Sequence, residues 1–505
     1  MPFIDQLQRW ARTAGQNAAV VVGEHRLTFA QLLAAATSTA ATSTPAAAEL
    51  VEVIDEPTST ALAARFCAAV YSGKVAMVID AQGSPDLRHR LRDAALDWAN
   101  GADHGGSAEP PFLLGLSSGT SGLPKAFTRS SASWQESMGR SVEFFEVTER
   151  TVTLAPGPLA ASMNLYALGE SIYAGSTFVA LPHFSTAAAL AAMAEHNVNR
   201  LVLVPTVLEL LAGAGLRTQQ SGQQLASIVC AGSALSAGAL ALAREWAPNA
   251  AIHQYYGAAE LGFVAASGVD RTGTPAMPET SVGTAFPGVQ ISIRDGHGKR
   301  VDRGVEGTIY VKSPYVCSGY AWGDDGLAFS SLAANAPWRQ DGQDRVESEL
   351  GVESDAREWF TVHDQGRLDN AGRLHVLGRA SDMIITAGAN VYPHAVEAAL
   401  AAAAAASFDG RHVSVLVTGR EDPLRGQRLV AGLYASEGIA AGAGERNATA
   451  LLARCRLAAA KLPASHRPSQ YYLLDALPLT GSGKISRAIF TQWLNEGDPR
   501  AQRLH

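Results

Sequence analysis

Cysteine is scarce in this chain, with four in 505 residues, at Cys67, Cys230, Cys317 and Cys455, and no two of them form a C-x-x-C pair. That scatter excludes a disulfide framework and a thiolate zinc site, and fits free or buried thiols in a reducing compartment. No run of 18 apolar residues occurs, so no membrane span is expected. The opening MPFIDQLQRWARTAGQ is amphipathic and carries charge throughout, unlike the apolar centre of a signal peptide. A net charge of −7 supplies no basic surface for nucleic acid. There is no internal repeat of solenoid length and no GxxxxGK[ST] loop. What remains is an expected cytoplasmic protein with 47% hydrophobic residues, long enough for two to four folding units at roughly 150 residues each.

The chain alternates strand-like and helix-like segments. Strands are expected at AAVVV and ELVEVID, with an Ala-rich helix over 29–42 between them, then a helix over 61–72 and a strand over 74–79. The pattern continues as strands at 178–181, 200–204 and 227–231, with helices at 187–196, 207–214 and 236–246. Such alternation is the signature of a parallel sheet covered by helices. Residues 38–48 read as a helix end and surface loop. The Ala run 401–406 reads as close helix packing. After about Gly283 the texture becomes short strands (289–294, 307–312, 374–377) separated by Gly and Asp turns, and 321–358 reads as a loop excursion. From 381 a smaller α/β unit follows, with helices over 394–406 and 448–462 and strands over 413–417, 429–434 and 471–474. The expected fold class is α/β: a large domain over 1–380, made of α/β layers plus a β-rich subdomain, and a small mobile α/β domain over 381–505.

Five segments carry chemistry. In LSSGTSGLPK, Ser117, Ser118, Gly119, Thr120, Ser121 and Gly122 bring small side chains, hydroxyls and free backbone amides next to Lys125. That combination suits a polyphosphate, and also suits a plain Gly/Ser turn. In QYYGAAE, the aromatic ring of Tyr256 suits a purine face or a core position, and Glu260 is a hard oxygen ligand for Mg2+. In WFTVHDQG, Asp364 is an acceptor for hydroxyls or a turn residue before Gly366. In LGRASD, Arg379 can hold phosphate or ribose oxygens or form a surface ion pair. In PLTGSGKISR, glycines flank Lys484, which suits a solvated turn or a charge carried into a cleft.

In this order the five segments resemble the signatures of the acyl-adenylate-forming superfamily, which includes acyl-CoA synthetases, peptide-synthetase adenylation domains and luciferases. The resemblance spans about residues 10–490. It implies that Ser117–Lys125 is the phosphate loop, that Tyr256 stacks on adenine, and that Glu260 helps hold Mg2+. Tyr255, Gly257, Ala258 and Ala259 would join the ATP site, as would Gly232 and Ser233 of the weaker motif CAGSAL. It also implies that Asp364 accepts from ribose hydroxyls, that Arg379 contacts ribose or phosphate, and that Lys484 is catalytic together with Glu260. Ser381 aligns with the hinge between domains. Gly388, in TAGANVYP, lines the path of a pantetheine thiol. Three departures stand out: Ala259 replaces a usual Thr, His363 a usual Gly, and Ser381 a usual Asp or Lys. Fewer residues than usual precede the phosphate loop.

The implied reaction makes acyl-AMP from ATP and a carboxylic acid, then a thioester with coenzyme A as co-substrate. The expected activity is that of an AMP-forming acyl-CoA synthetase for a fatty or aryl acid. A stand-alone adenylation enzyme that loads a carrier protein is the alternative; no carrier domain follows, which favours CoA. A non-catalytic adenylate-binding protein is a third reading, opposed by Lys484, Glu260 and Asp364. The acyl pocket is expected around Ala161 and Asn164, open and mostly apolar because its side chains are small or flexible. Asn164 would read a polar substituent or cap a helix.

Overall fold

The computed structural model describes residues 1–41, 50–101, 109–117, 123–269, 281–324, 326, 328–333, 358–405, 413–435, 444–480 and 485–505. Among these residues the strands form four sheets. The largest has the strand order Thr284–Ala285, Gly262–Val269, Ala251–Ala258, Ser227–Cys230, Arg200–Leu203, Val152–Leu154, Thr177–Ala180, Ala18–Val22, His25–Thr28. Its interior pairings are parallel and its margins antiparallel.

The parallel strands are covered on both faces, as their short apolar runs require. Leu201, Leu203, Ile228 and Cys230 point into a core shared with the helices Thr186–Glu195, Pro205–Arg217 and Ala237–Trp246. Val202 and Val229 point the other way, into a core shared with the helices Ser131–Phe144 and Ser162–Ala174. Each helix starts where a local signal puts it. Ser130, Ser185 and Ser236 cap three of them by accepting from the third following amide, and Pro205 occupies the first turn of a fourth.

A second sheet orders Gly319–Trp322, Lys125–Ser130, Pro111–Ser117, Val75–Val78 and Val51–Ile54. A third, antiparallel, is built from Gln290–Arg294, Gly307–Lys312, Ser330–Ser331, Phe360–Thr361, Asp364–Leu368 and Leu374–Arg379. The fourth contains only strands after residue 383, from Ile384–Thr386 to Ala501–Leu504. It packs on the helices Pro393–Ala405 and Gly444–Ala459.

The α/β class with a large first part and a small second one is therefore as expected. Two expectations change. The stretch from 321 is not simply a loop, because Gly319–Trp322 pairs with Lys125–Ser130, and Ser330–Ser331 with Phe360–Thr361. Strands of two to four residues are too short to show an alternation. The helix Pro85–Asn100 was absent from the sequence reading although its Ser84 cap and Pro85 start are standard signals. Of the helix end and loop expected over 38–48, residues 42–48 lie outside the described residues. All four cysteines are free and buried. No described helix is long and apolar enough to cross a membrane.

Candidate active site

The strand Ala251–Ala258 runs into the antiparallel strand Gly262–Val269 through a turn that is tight for a steric reason. A Cβ on Gly257 would sit 2.3 Å from the carbonyl oxygen of Gly262, so only glycine fits. This turn presents Glu260. Its backbone oxygen accepts from Cys317 N at 2.7 Å, and its carboxylate accepts from the Tyr320 hydroxyl at 2.8 Å. Arg129, 4% exposed, donates to the carbonyl oxygens of Ala259 and Tyr315, pinning the turn from below. Arg129 and Tyr320 were not singled out in the sequence. Neither lies in a repeated pattern, and only the pairing of Gly319–Trp322 with Lys125–Ser130 brings them here.

Tyr256 donates from its hydroxyl to Asp364 Oδ2 at 2.5 Å. Asp364 and Arg379 are direct partners across the strands Asp364–Leu368 and Leu374–Arg379, with Arg379 Nε 3.6 Å from Asp364 Oδ1. Burial raises the Asp364 carboxyl above the ordinary carboxylate range, against the opposing pull of Arg379 and of the Tyr256 hydroxyl. The Tyr256 phenol is raised well above its usual value, first by burial and then by the Asp364 charge. Asp364 Oδ1 is buried and accepts no hydrogen bond, with Arg379 Nε standing off at 3.6 Å. An orphaned carboxylate oxygen in this position is an acceptor waiting for a hydroxyl.

His363, where a glycine was the usual residue, has φ +61°. A side chain is strained there, and the ring is held by a 3.0 Å contact between Nε2 and Ser330 Oγ. Burial lowers the pKa of this imidazole.

The remaining expected residues fall as follows. Ser117 and Lys125 face each other as the last and first residues of paired antiparallel strands. Lys125 Nζ lies 5.7 Å from the Tyr320 ring centroid, which links this strand pair to the Glu260 turn. Ser118, Gly119, Thr120, Ser121 and Gly122 lie outside the described residues, as does Lys484. Gly232, with φ +89°, and Ser233 follow the strand Ser227–Cys230. Cys230 is in register with Gln254, two residues before Tyr256.

Tyr255 is placed differently from the rest of its motif. It turns to the opposite face of the strand and packs in an aromatic cluster, 4.7 Å from Phe263 by ring centroids. Asn164 is buried and donates from Nδ2 to Pro158 O at 2.9 Å, while Ala161 is the helix cap. The capping reading of Asn164 is thus corrected: it sits inside the first turn and ties down the preceding loop. Ser381 lies in a single turn of 3-10 helix, Ala380–Asp382. Gly388, φ +79°, occupies the turn between Ile384–Thr386 and Ala389–Val391, with open space where a Cβ would project.

A family model described as AMP-binding enzyme matches residues 46–321. The chain belongs to the AMP-binding enzyme family. Among its relatives, an uncharacterized acyl-CoA ligase of Bacillus subtilis, YhfT, is 31% identical over 77% of this chain and 70% of the relative. The indoleacetate–CoA ligase of Aromatoleum aromaticum is 29% identical over 75% of this chain and 66% of its own. The o-succinylbenzoate CoA synthetase MenE of Bacillus subtilis, solved with the acyl-adenylate OSB-AMP, superposes with a TM-score of 0.71 at 21% identity, covering 100% of this chain and 99% of that one. The amide bond synthetase McbA of Marinactinospora thermotolerans gives 0.72 at 22% identity over 98% and 100%. Likenesses at that identity speak for the fold. In this AMP-binding enzyme the donor set fits Mg2+ held partly by a nucleotide: one hard carboxylate, Glu260, faces the site, and the described residues contain no cluster of three acidic, His or Cys ligands.

Proposed function

We propose that this enzyme converts a carboxylic acid and ATP to acyl-AMP and pyrophosphate, then transfers the acyl group to the thiol of coenzyme A. The observation that carries the reading is the Tyr256–Asp364–Arg379 constellation, with its orphaned Asp364 oxygen, beside the Glu260 turn. Asp364 accepts from the ribose, Arg379 faces the ribose or α-phosphate, and the ring of Tyr256 stacks on the base. Mg2+ bound at Glu260 would neutralise phosphate charge. In the first step a carboxylate oxygen attacks the α-phosphorus and the bond to pyrophosphate breaks. Lys484, from the segment 480–484, is assigned to the negative charge shared by carboxylate and α-phosphate.

In the second step a thiol sulfur attacks the acyl carbonyl, its proton is lost, and AMP leaves. We assign this step to the face around Gly388, after rotation about Ser381 of a unit comprising residues 381–505 against 1–380. The relatives called CoA ligases support CoA as acceptor over a carrier protein. Four buried, unpaired cysteines are consistent with a cytoplasmic site of action.

The test is AMP and thioester formation by the purified chain with Mg-ATP, an acid panel, and either CoA or a holo carrier protein. CoA-dependent AMP release supports the reading. Acyl-AMP that CoA never consumes, and a holo carrier does, moves the acceptor to the carrier. Absence of pyrophosphate release with every acid refutes acid activation.

A further inference from the structure

We propose that the acid this enzyme activates is a compact, uncharged aromatic carboxylic acid. The proposal rests on the acid-activating reading above and concerns the far side of the strand that carries Tyr256.

Neighbouring side chains on a strand point to opposite faces. With Tyr256 at Asp364, Tyr255 faces the layer between the main sheet and the helices Ser131–Phe144 and Ser162–Ala174, one residue from the nucleotide position. Its ring lies 4.7 Å from Phe263, and the Tyr166 ring lies 5.3 Å from Phe263 at 79°. Both phenols sit deep enough that burial pushes their pKa values well up. Yet both residues are only partly buried, as are Met163 in the same helix as Tyr166 and Ala160 just before it. Groups deep in a fold that remain partly open line an internal cleft. Tyr255 and Tyr166 add an aromatic wall to the small and flexible side chains of Ala160 and Met163.

The cleft is short. Glu170 lies one helical turn beyond Tyr166, roughly 6 Å along the axis, and it reaches across to Arg200 Nη1 at 2.7 Å. Both side chains are 3% exposed. The Arg200 guanidinium also lies 5.7 Å from the Phe145 ring centroid, and Phe145 packs edge-on against His253 at 5.4 Å. An ion pair and a ring cluster therefore occupy the layer behind Tyr255, where a long alkyl tail needs a continuous apolar tunnel.

The charged groups beside the cleft are already paired, although His253 Nδ1 and Arg200 Nε carry no hydrogen-bond partner. Glu170 and Arg200 neutralise each other. The Tyr166 hydroxyl is engaged by Ser137 and Ser141, and Asn164 by Pro158. A second carboxylate or an ammonium on the acid would be buried with no counter-charge. A flat ring, in contrast, extends the edge-to-face arrangement of Tyr166, Phe263 and Tyr255.

The experiment measures CoA-dependent AMP release by the full chain with benzoate, phenylacetate, hexanoate, palmitate and malonate. The expected kcat/KM for the better of the two aryl acids exceeds those for palmitate and malonate by at least about 100-fold, the discrimination a shaped apolar pocket gives. Tyr255→Gly, which removes the wall, is expected to raise the hexanoate-to-benzoate ratio at least about tenfold. Tyr166→Leu, on a separate helix, provides the same test if Tyr255→Gly does not fold. Palmitate or malonate as the best substrate overturns the proposal, and so does an unchanged ratio in a folded variant. Turnover of none of these acids, with none found in a wider panel, refutes acid activation itself.

Discussion

Replacing Tyr256 by Phe removes one atom and tests how the nucleotide site is held ready. The hydroxyl donates to a nearly buried carboxylate at 2.5 Å, and the other oxygen of that carboxylate accepts no hydrogen bond. A hydrogen bond to a charged group contributes about 1.5–3 kcal/mol, so its loss favours the protonated form of Asp364 by up to that amount. Burial already raises this carboxyl above its unfolded value. The sign follows from linkage: a raised carboxyl stabilises the fold fully below its unfolded pKa, and that contribution is lost as pH rises through the folded pKa. The variant carries the titration further up. The measurement is kcat/KM for ATP in pyrophosphate exchange between pH 5 and 8, which reports ionisations of the free enzyme. At the acid end the variant is expected to fall behind by about 10- to 100-fold, the rate equivalent of about 1.5–3 kcal/mol. The deficit should narrow as pH rises and Asp364 ionises in both proteins. Asp364→Asn should flatten the acid limb. A Tyr256→Phe deficit that is the same at every pH, or no deficit, would refute the argument that this bond poises Asp364.

Three further outcomes are expected. Glu260→Gln removes the one anionic ligand the turn offers, so saturation by Mg-ATP should shift to higher concentration; an unchanged Mg2+ dependence removes Glu260 from the metal site. Lys484→Ala should cut acyl-AMP synthesis by about 10²–10³ while preserving thioester formation from supplied acyl-AMP. Gly388→Leu should do the reverse, and loss of both half-reactions in either folded variant contradicts the two-face assignment. Glu170→Leu leaves Arg200 buried without its counter-charge and should destabilise the large domain by about 3–5 kcal/mol in thermal unfolding, with the Glu170→Leu/Arg200→Met double variant recovering much of the loss; an equal loss in both would mean the pair is not the source.

Much of this was legible in the sequence, for reasons that differ between elements. The parallel strands are continuous apolar runs between capped helices, so the buried segments around 202 and 229 stand out without any long-range information. Asp364 and Arg379 were found by motif, although their pairing across two strands is a property of the register alone. Arg129 and Tyr320 were missed because an isolated Arg or Tyr carries no periodic signal; their roles exist only once strands from distant parts of the chain are adjacent. Tyr255 was grouped with Tyr256 because both sit in one motif. The alternation of side chains along a strand separates them, and that rule could have been applied to the sequence.

One of the three departures from the expected motifs now has a physical reading. His363 occupies a left-handed backbone position that glycine would adopt without strain, and its ring is retained by Ser330. The strain is thus balanced by a contact that glycine lacks. In the second part of the chain, Arg487 follows the segment that carries Lys484 by one turn. It bonds both oxygens of the buried Glu397 at 2.8 and 2.7 Å, and lies 3.7 Å from Asp382. Glu397 belongs to the helix that follows the Gly388 turn, and Asp382 to the turn that contains Ser381. One guanidinium therefore ties together the start of the helix Arg487–Glu496, the helix Pro393–Ala405 and the turn Ala380–Asp382. The Glu397 contacts join elements of the same small unit and should survive a rotation at Ser381. Asp382 also follows Ser381, so its longer contact to Arg487 would move with the same unit under the proposed rotation.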